Sequence, residues 1–132
     1  AGGRNVYTDR PTTHRPTVSA EWVMAQNPDL IVRAVGGAGG GGYEGDSPKP
    51  LEDARQSIMN RPGFARLAAV RAGRVYVIHR DIWLGPACYV SVAYLAKYFH
   101  PQAFADMDPR AIHLEYLRRF HGMDRAGAQA FP

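Results

Sequence analysis

The chain has 132 residues, 45% hydrophobic and 21% charged, which reads as one ordinary globular domain with one hydrophobic core. The net charge of +4 is modest, and the arginines of "RPGFARLAAVRAGR" and "YLRRFHG" are scattered rather than aligned on one periodic face, so no nucleic-acid partner is expected. A single cysteine, Cys88, excludes an internal disulfide and any multi-cysteine metal site. The longest apolar stretch, "YVSVAYLAKYF", falls short of the roughly 20 residues that span a bilayer and is broken by Lys97. No signal peptide opens the chain, which begins at "AGGRN", and its compartment is not readable from that start.

Residues 1–17 are rich in Gly, Pro, Thr and Arg and predict a loop, with at most a short strand at 5–7. Ser19 is a good N-cap for a helix through Trp22, Val23 and Met24, and Glu21 sits in the first turn, where the helix dipole favours an anion. Asn27-Pro28 stops that helix, because the residue before proline avoids the α region. Leu30 to Val35 follow as a β-rich run. A glycine-rich loop then extends to about Pro50, and Asp46, Ser47 and Pro48 mark the start of a helix over 51–60. After the breaker Arg61-Pro62-Gly63, "FARLAAVRAG" predicts a helical turn ending at Gly73. "RVYVIH", residues 74–79, is the clearest strand and leaves little polar surface, as in a buried sheet. "RDIWLGPACY" predicts a loop, and helix resumes over about 86–99. The last helix spans 109–121, with Asp108 at the cap, Pro109 at its first position and Gly122 beyond its end. Residues 123–132 are expected to form a weakly ordered tail.

Gly37, Gly39 and Gly42 spell G-x-G-x-x-G. A dinucleotide fingerprint needs its glycines to open a helix directly, so that the pyrophosphate meets that helix's amides. Here "YEGDSPKP" intervenes with two prolines and two acids, and no acidic residue stands about 20 positions on at the end of the next strand. The run is better read as a flexible loop at the carboxyl end of a strand, the end of an α/β sheet where ligands bind. No nucleophile elbow, H-E-x-x-H or paired carboxylates appear, so an enzyme is not expected. His14, His100, His113 and His121 show no zinc-ligand spacing.

Taken in order, "AGGRNV", "VSAEWVMAQNPDLIV", "MNRPGFARLAAVRAGRVYVIHRD", "GPACYVSVAYLAKYFHPQAFADMDP" and "AIHLEYLRRFHG" resemble one lobe of a known family. It is the C-terminal lobe of the helical-backbone substrate-binding proteins of ABC importers for iron–siderophore, haem and cobalamin-type complexes. The resemblance runs from Gly2 to about Gly122. It implies an α/β fold: a three-layer α/β/α sandwich with a short, mostly parallel central sheet over residues 1–122, and a tail over 123–132. It also implies a non-enzymatic protein with no intrinsic cofactor. Such a lobe, with a second lobe and a linking helix, encloses a ferric siderophore, haem or corrinoid and docks to an ABC permease. The location implied is periplasmic or extracellular and membrane-anchored. The glutamate of the family's "VS-x-E" motif, which docks onto permease arginines, falls on Glu21.

Two departures accompany the resemblance. The family's lobe begins with a further strand and helix before the glycine pair, preceded by an N-terminal lobe. The expectation is therefore a truncated lobe with an uncovered sheet edge that invites a homodimer. Many relatives also carry arginine after Gly-Pro, where this chain has Ala87. In the implied fold, the loops after the strands face the ligand. They nominate Tyr43 and Glu44 after the glycine run, and His79, Asp81, Trp83 and Tyr89 around "HRDIWLGPACY". Trp83, in a Gly/Pro-flanked loop, can lie flat against a macrocycle or catecholate, and Tyr43 can close over a ligand on its glycine tether. A ligand-free interaction domain or oligomerising fragment of the same fold, and a nucleotide-dependent α/β enzyme, are the alternatives.

Overall fold

Apolar residues occupy both sides of the two parallel strands, so helices have to cover both faces of their sheet. The computed structural model describes residues 2–8, 17–36, 42–43 and 45–132. Gly37, Gly39, Glu44 and His14 lie outside the described residues. Strand β1 (Ile31–Val35) runs parallel to β2 (Val75–His79), with Ile31 opposite Val75 and Val35 opposite His79. On one face, Ile31 and Val75 pack with Ile58, Phe64, Leu67 and Ala69. These come from α2 (Lys49–Met59), the 3-10 turn Phe64–Arg66 and the segment through α3 (Ala68–Arg71), with Val23 and Met24 of α1 (Ala20–Gln26) joining them. On the other face, Val32, Tyr76 and Ile78 meet Ile82 of α4 (Arg80–Trp83), Val90 and Tyr98 of α5 (Cys88–Phe99), and Tyr116 of α6 (Pro109–His121). Tyr76 and Tyr98 stack at 3.8 Å between ring centroids. Each fully buried aliphatic side chain in these cores contributes roughly 1.5–3 kcal/mol by leaving water. The architecture is the α/β sandwich that the sequence predicts.

Local chemistry fixes the element ends. The Ser19 hydroxyl accepts from the Trp22 amide, and Asn27 closes α1 in the left-handed region at φ 42°. The Asp108 carboxylate accepts from the amides of Arg110 and Ala111 at the start of α6, and Gly122 ends it at φ 63°. Both long-helix termini were legible in the sequence. The segment 80–83 is not the loop expected of it. His79 accepts from the Asp81 amide and starts the single turn of α4, which buries Ile82.

The larger departure lies at the C-terminus. Residues 123–132 are not weakly ordered: Ala126 and Gln129 are only 1% and 3% exposed, and Ala130–Phe131 form β3. That strand pairs antiparallel to β2, Ile78 opposite Ala130, so the sheet order is β1-β2-β3 with one parallel and one antiparallel pair. The His79 amide donates to the Gln129 carbonyl at 2.7 Å. Phe131 is the one residue of "AGAQAF" with high β propensity, too little to signal a strand, and the open edge of β2 makes it. Among the described residues the far edge of β1 has no partner strand.

Candidate functional site

The parallel strands end together at Val35 and His79, and side chains from four segments converge beyond that end. Gly42 turns with φ 63° and lies so close to His79 and Asp81 that a Cβ there would collide with both. Tyr43 follows, and its backbone amide donates to the Asp81 carboxylate at 3.2 Å. Its hydroxyl meets Nε2 of His113, on α6, at 2.8 Å, with the two rings tilted at 5.5 Å. Tyr89, at the start of α5, stands edge-on to Tyr116 at 5.6 Å. The Tyr116 hydroxyl in turn contacts Nε2 of His121 at 3.0 Å.

The electrostatics follow from this crowding. Burial pushes the Tyr43 phenol up from its ordinary value, and the Asp81 carboxylate and the phenols of Tyr116 and Tyr89 add to the rise. Tyr89 is raised by burial, then by Tyr116 and Glu115. His113 is 1% exposed, and burial holds its imidazole below the usual histidine value while Asp81 works in the opposite direction. His79 is buried with Nδ1 3.1 Å from the Asp81 carboxylate. A proton on Nδ1 is donated to that carboxylate; without it, the same nitrogen accepts from the Asp81 amide at 3.4 Å. Either tautomer therefore has a partner. The result is a surface of phenols over the buried imidazoles of His79 and His113 and one carboxylate, able to stack on a planar ligand and to give or accept hydrogen bonds through its hydroxyls.

Of the residues nominated from sequence, the structure brings Tyr43, His79 and Asp81 into direct contact and sets Tyr89 beside them through Tyr116. Glu44 lies outside the described residues. Trp83 does not join the group. It lines a groove of about 680 Å³ along the free side of β1, with Gly3, Trp22, Leu30, Val32 and Phe99. Glu21 stands exposed at the start of α1, its carboxyl held below the ordinary value by its own backbone amide and then by the Ser19 hydroxyl. Sequence reasoning missed His113 and Tyr116 as site residues. The available signal was their i, i+3 spacing, which places both on one side of α6.

Among the described residues no three His, Cys, Asp or Glu side chains gather as a metal site, and Cys88 is a free, exposed thiol. Among the described residues no helix is long and apolar enough to cross a membrane.

Comparison with known proteins gives the scaffold a family. No curated protein matches the chain. Among solved structures, the fold is similar to the TroA-like periplasmic binding protein FepB from Veillonella parvula, with a TM-score of 0.76 and 25% sequence identity over 88% of this chain. The match covers 35% of the FepB chain, so this sequence spans about a third of that protein's length. The family model described as periplasmic binding protein matches residues 1–82, the span from the glycine pair through α4. On that match, the chain belongs to the periplasmic binding protein family.

Proposed function

We propose that the chain is the ligand-facing and permease-docking lobe of a substrate-binding protein that delivers a metal chelate to an ABC importer. The chelate class is a ferric siderophore, haem or corrinoid, and the protein works in the periplasm or tethered outside the membrane. The observation that carries the reading is the cluster of Tyr43, Asp81, Tyr89, His113 and Tyr116 beyond the carboxyl ends of the parallel strands. That end is where open α/β sheets hold ligands. Phenol rings and their hydroxyls suit the mixed apolar and hydrogen-bonding periphery of such chelates. Glu21 is the docking carboxylate on this reading: it is exposed, rigidly held at a capped helix start, and remote from the aromatic cluster in sequence and element. Binding needs no chemistry from the protein, because a permease can respond to the liganded shape.

Equilibrium dialysis of the chain against a ferric siderophore, haemin and cyanocobalamin, read by absorbance, tests the proposal. Retention of one compound is expected, with loss of that retention in Tyr43→Ala and Tyr89→Ala. Glu21→Ala should retain the compound normally while failing to bind permease-containing vesicles. If the parent retains none of the compounds above a control protein, the chelate reading is wrong.

A second reading, an oligomerising domain of the same fold, draws on a different observation. Strand β1 leaves one edge without a partner strand among the described residues, and the groove beside it is lined by Trp22, Val23, Leu30 and Phe99.

A further inference from the structure

The groups that fasten Tyr43 in the cluster come from the far end of the chain. The Gly42 amide donates to the Ala128 carbonyl at 2.9 Å, and the Ala128 amide donates to the Gly45 carbonyl at 2.9 Å. These two bonds bracket Tyr43 on either side. Gly127, at φ 63°, lies directly against the Gly42 carbonyl, where any Cβ would collide with it. A side chain at 127 is therefore opposed twice, by the left-handed backbone and by the missing space. From the other side, Gly42 is pressed against His79 and Asp81, so the turn before Tyr43 is held between residues 127–128 and the end of β2. Segment 126–129 is in turn fixed by the bond from the His79 amide to the Gln129 carbonyl. The Tyr98 hydroxyl donates to the Pro132 carbonyl farther along, at 3.1 Å.

We infer that Gly127 and Ala128 are positioning residues for the ligand site: they clamp the turn at Gly42 so that the Tyr43 ring is presented against His113. The inference rests on the reading of Tyr43 as a ligand contact. It also places part of the site's support outside residues 1–82, the span that identifies the family. The clamp differs from general stabilisation because its two bonds end on the Tyr43 turn itself, whereas the Tyr98–Pro132 bond holds the same terminal segment without touching that turn.

The test uses the intact chain with ¹³C-labelled histidine and follows the His113 ring by NMR as pH is varied, the signal being assigned with His113→Gln. Tyr43 and Asp81 are the titratable groups that meet this ring from other elements. In Gly127→Ala, Tyr43 should swing away, and the His113 titration should move up toward that of an ordinary imidazole while far-UV circular dichroism is retained. Tyr98→Phe, which loosens the segment elsewhere, should leave the His113 titration where it is in the parent. If Gly127→Ala does not fold, Ala128→Pro removes the donor to Gly45 and also restricts the backbone of residues 127 and 128, so it too loosens the clamp and is read in the same way. A folded clamp variant whose His113 titrates as in the parent overturns the inference, as does an equal shift in Tyr98→Phe. Dialysis of the same proteins against the ferric siderophore, haemin and cyanocobalamin separates the two claims. Loss of retention in the clamp variant supports both. A parent that retains nothing, with His113 shifted in the variant, overturns the chelate reading and leaves the clamp standing.

Discussion

His113 shows how a residue set aside in the sequence becomes central once its surroundings are known. A histidine on an amphipathic helix without ligand spacing is most simply a surface or core polar residue, and no local pattern says which. In the fold it is sealed beneath Tyr43, and burial holds its imidazole below the usual histidine value. In an unfolded chain a histidine titrates near ~6.5. Between that value and the lower one in the folded state, the unfolded chain holds more protons, so stability drops as pH falls through that window and is complete above it. The urea midpoint of the parent should therefore decline between about pH 7.5 and pH 5 more steeply than that of His113→Gln. Equal slopes in the two proteins would show that the ring is not buried as described. By contrast, the placement of Tyr43, His79 and Asp81 at and beyond the strand ends was legible, because strand–loop boundaries are written in local sequence. Trp83 was misplaced for a related reason: the loop assumed to carry it is the helical turn α4, which directs it to the groove beside β1.

Among the elements, helix ends were the most readable feature because capping is short-range chemistry. Ser19, Asp108, Pro109 and Gly122 each do what their residue type does at a terminus. Asn27 does more than the sequence discloses. It ends α1 with its backbone in the left-handed region, and its side-chain oxygen accepts from the Ala68 amide at 2.9 Å, capping α3 across a tertiary contact. Asn27→Ala should lose both contributions, at about 1–2 kcal/mol in urea unfolding. Asn27→Gly keeps the easy left-handed backbone and loses only the bond to Ala68, so it should fall between parent and alanine variant. Identical midpoints for glycine and alanine would show that the backbone conformation contributes nothing. Strand β3 was illegible for the opposite reason, since a single Phe131 beside small residues is too weak a strand signal and the segment takes its conformation from β2.

For the molecule as a whole, the two faces of the sheet were foreseeable from the apolar runs and an uncovered edge was expected from the resemblance, but the pairing of β3 was not, because it joins residues far apart in sequence. The edge beyond β1 bears on the second functional reading. Ile31 donates to the Arg74 carbonyl on the β2 side, so in an evenly alternating parallel ladder Val32 and Ala34 direct their amides outward. If that edge joins two copies, sedimentation velocity should reveal a concentration-dependent dimer that Ala34→Pro removes, since proline takes away an outward donor and spares the β1–β2 bonds. A single monomeric species at every concentration would exclude the oligomerising reading and leave the chelate-binding one.

The bridge between Gly42 and Ala128 also has a consequence for the order in which the protein is made. The core around Ile58, Phe64, Leu67 and Val75 draws only on α1 to β2, so the N-terminal part can begin to compact while translation continues. The aromatic cluster cannot. His113 and Tyr116 must leave the ribosome first, and the clamp on Gly42 closes only when residue 128 has followed. Ligand-site assembly is thus a late event on the ribosome, and a chain interrupted shortly before residue 127 would carry a formed helical core with its binding surface still unassembled.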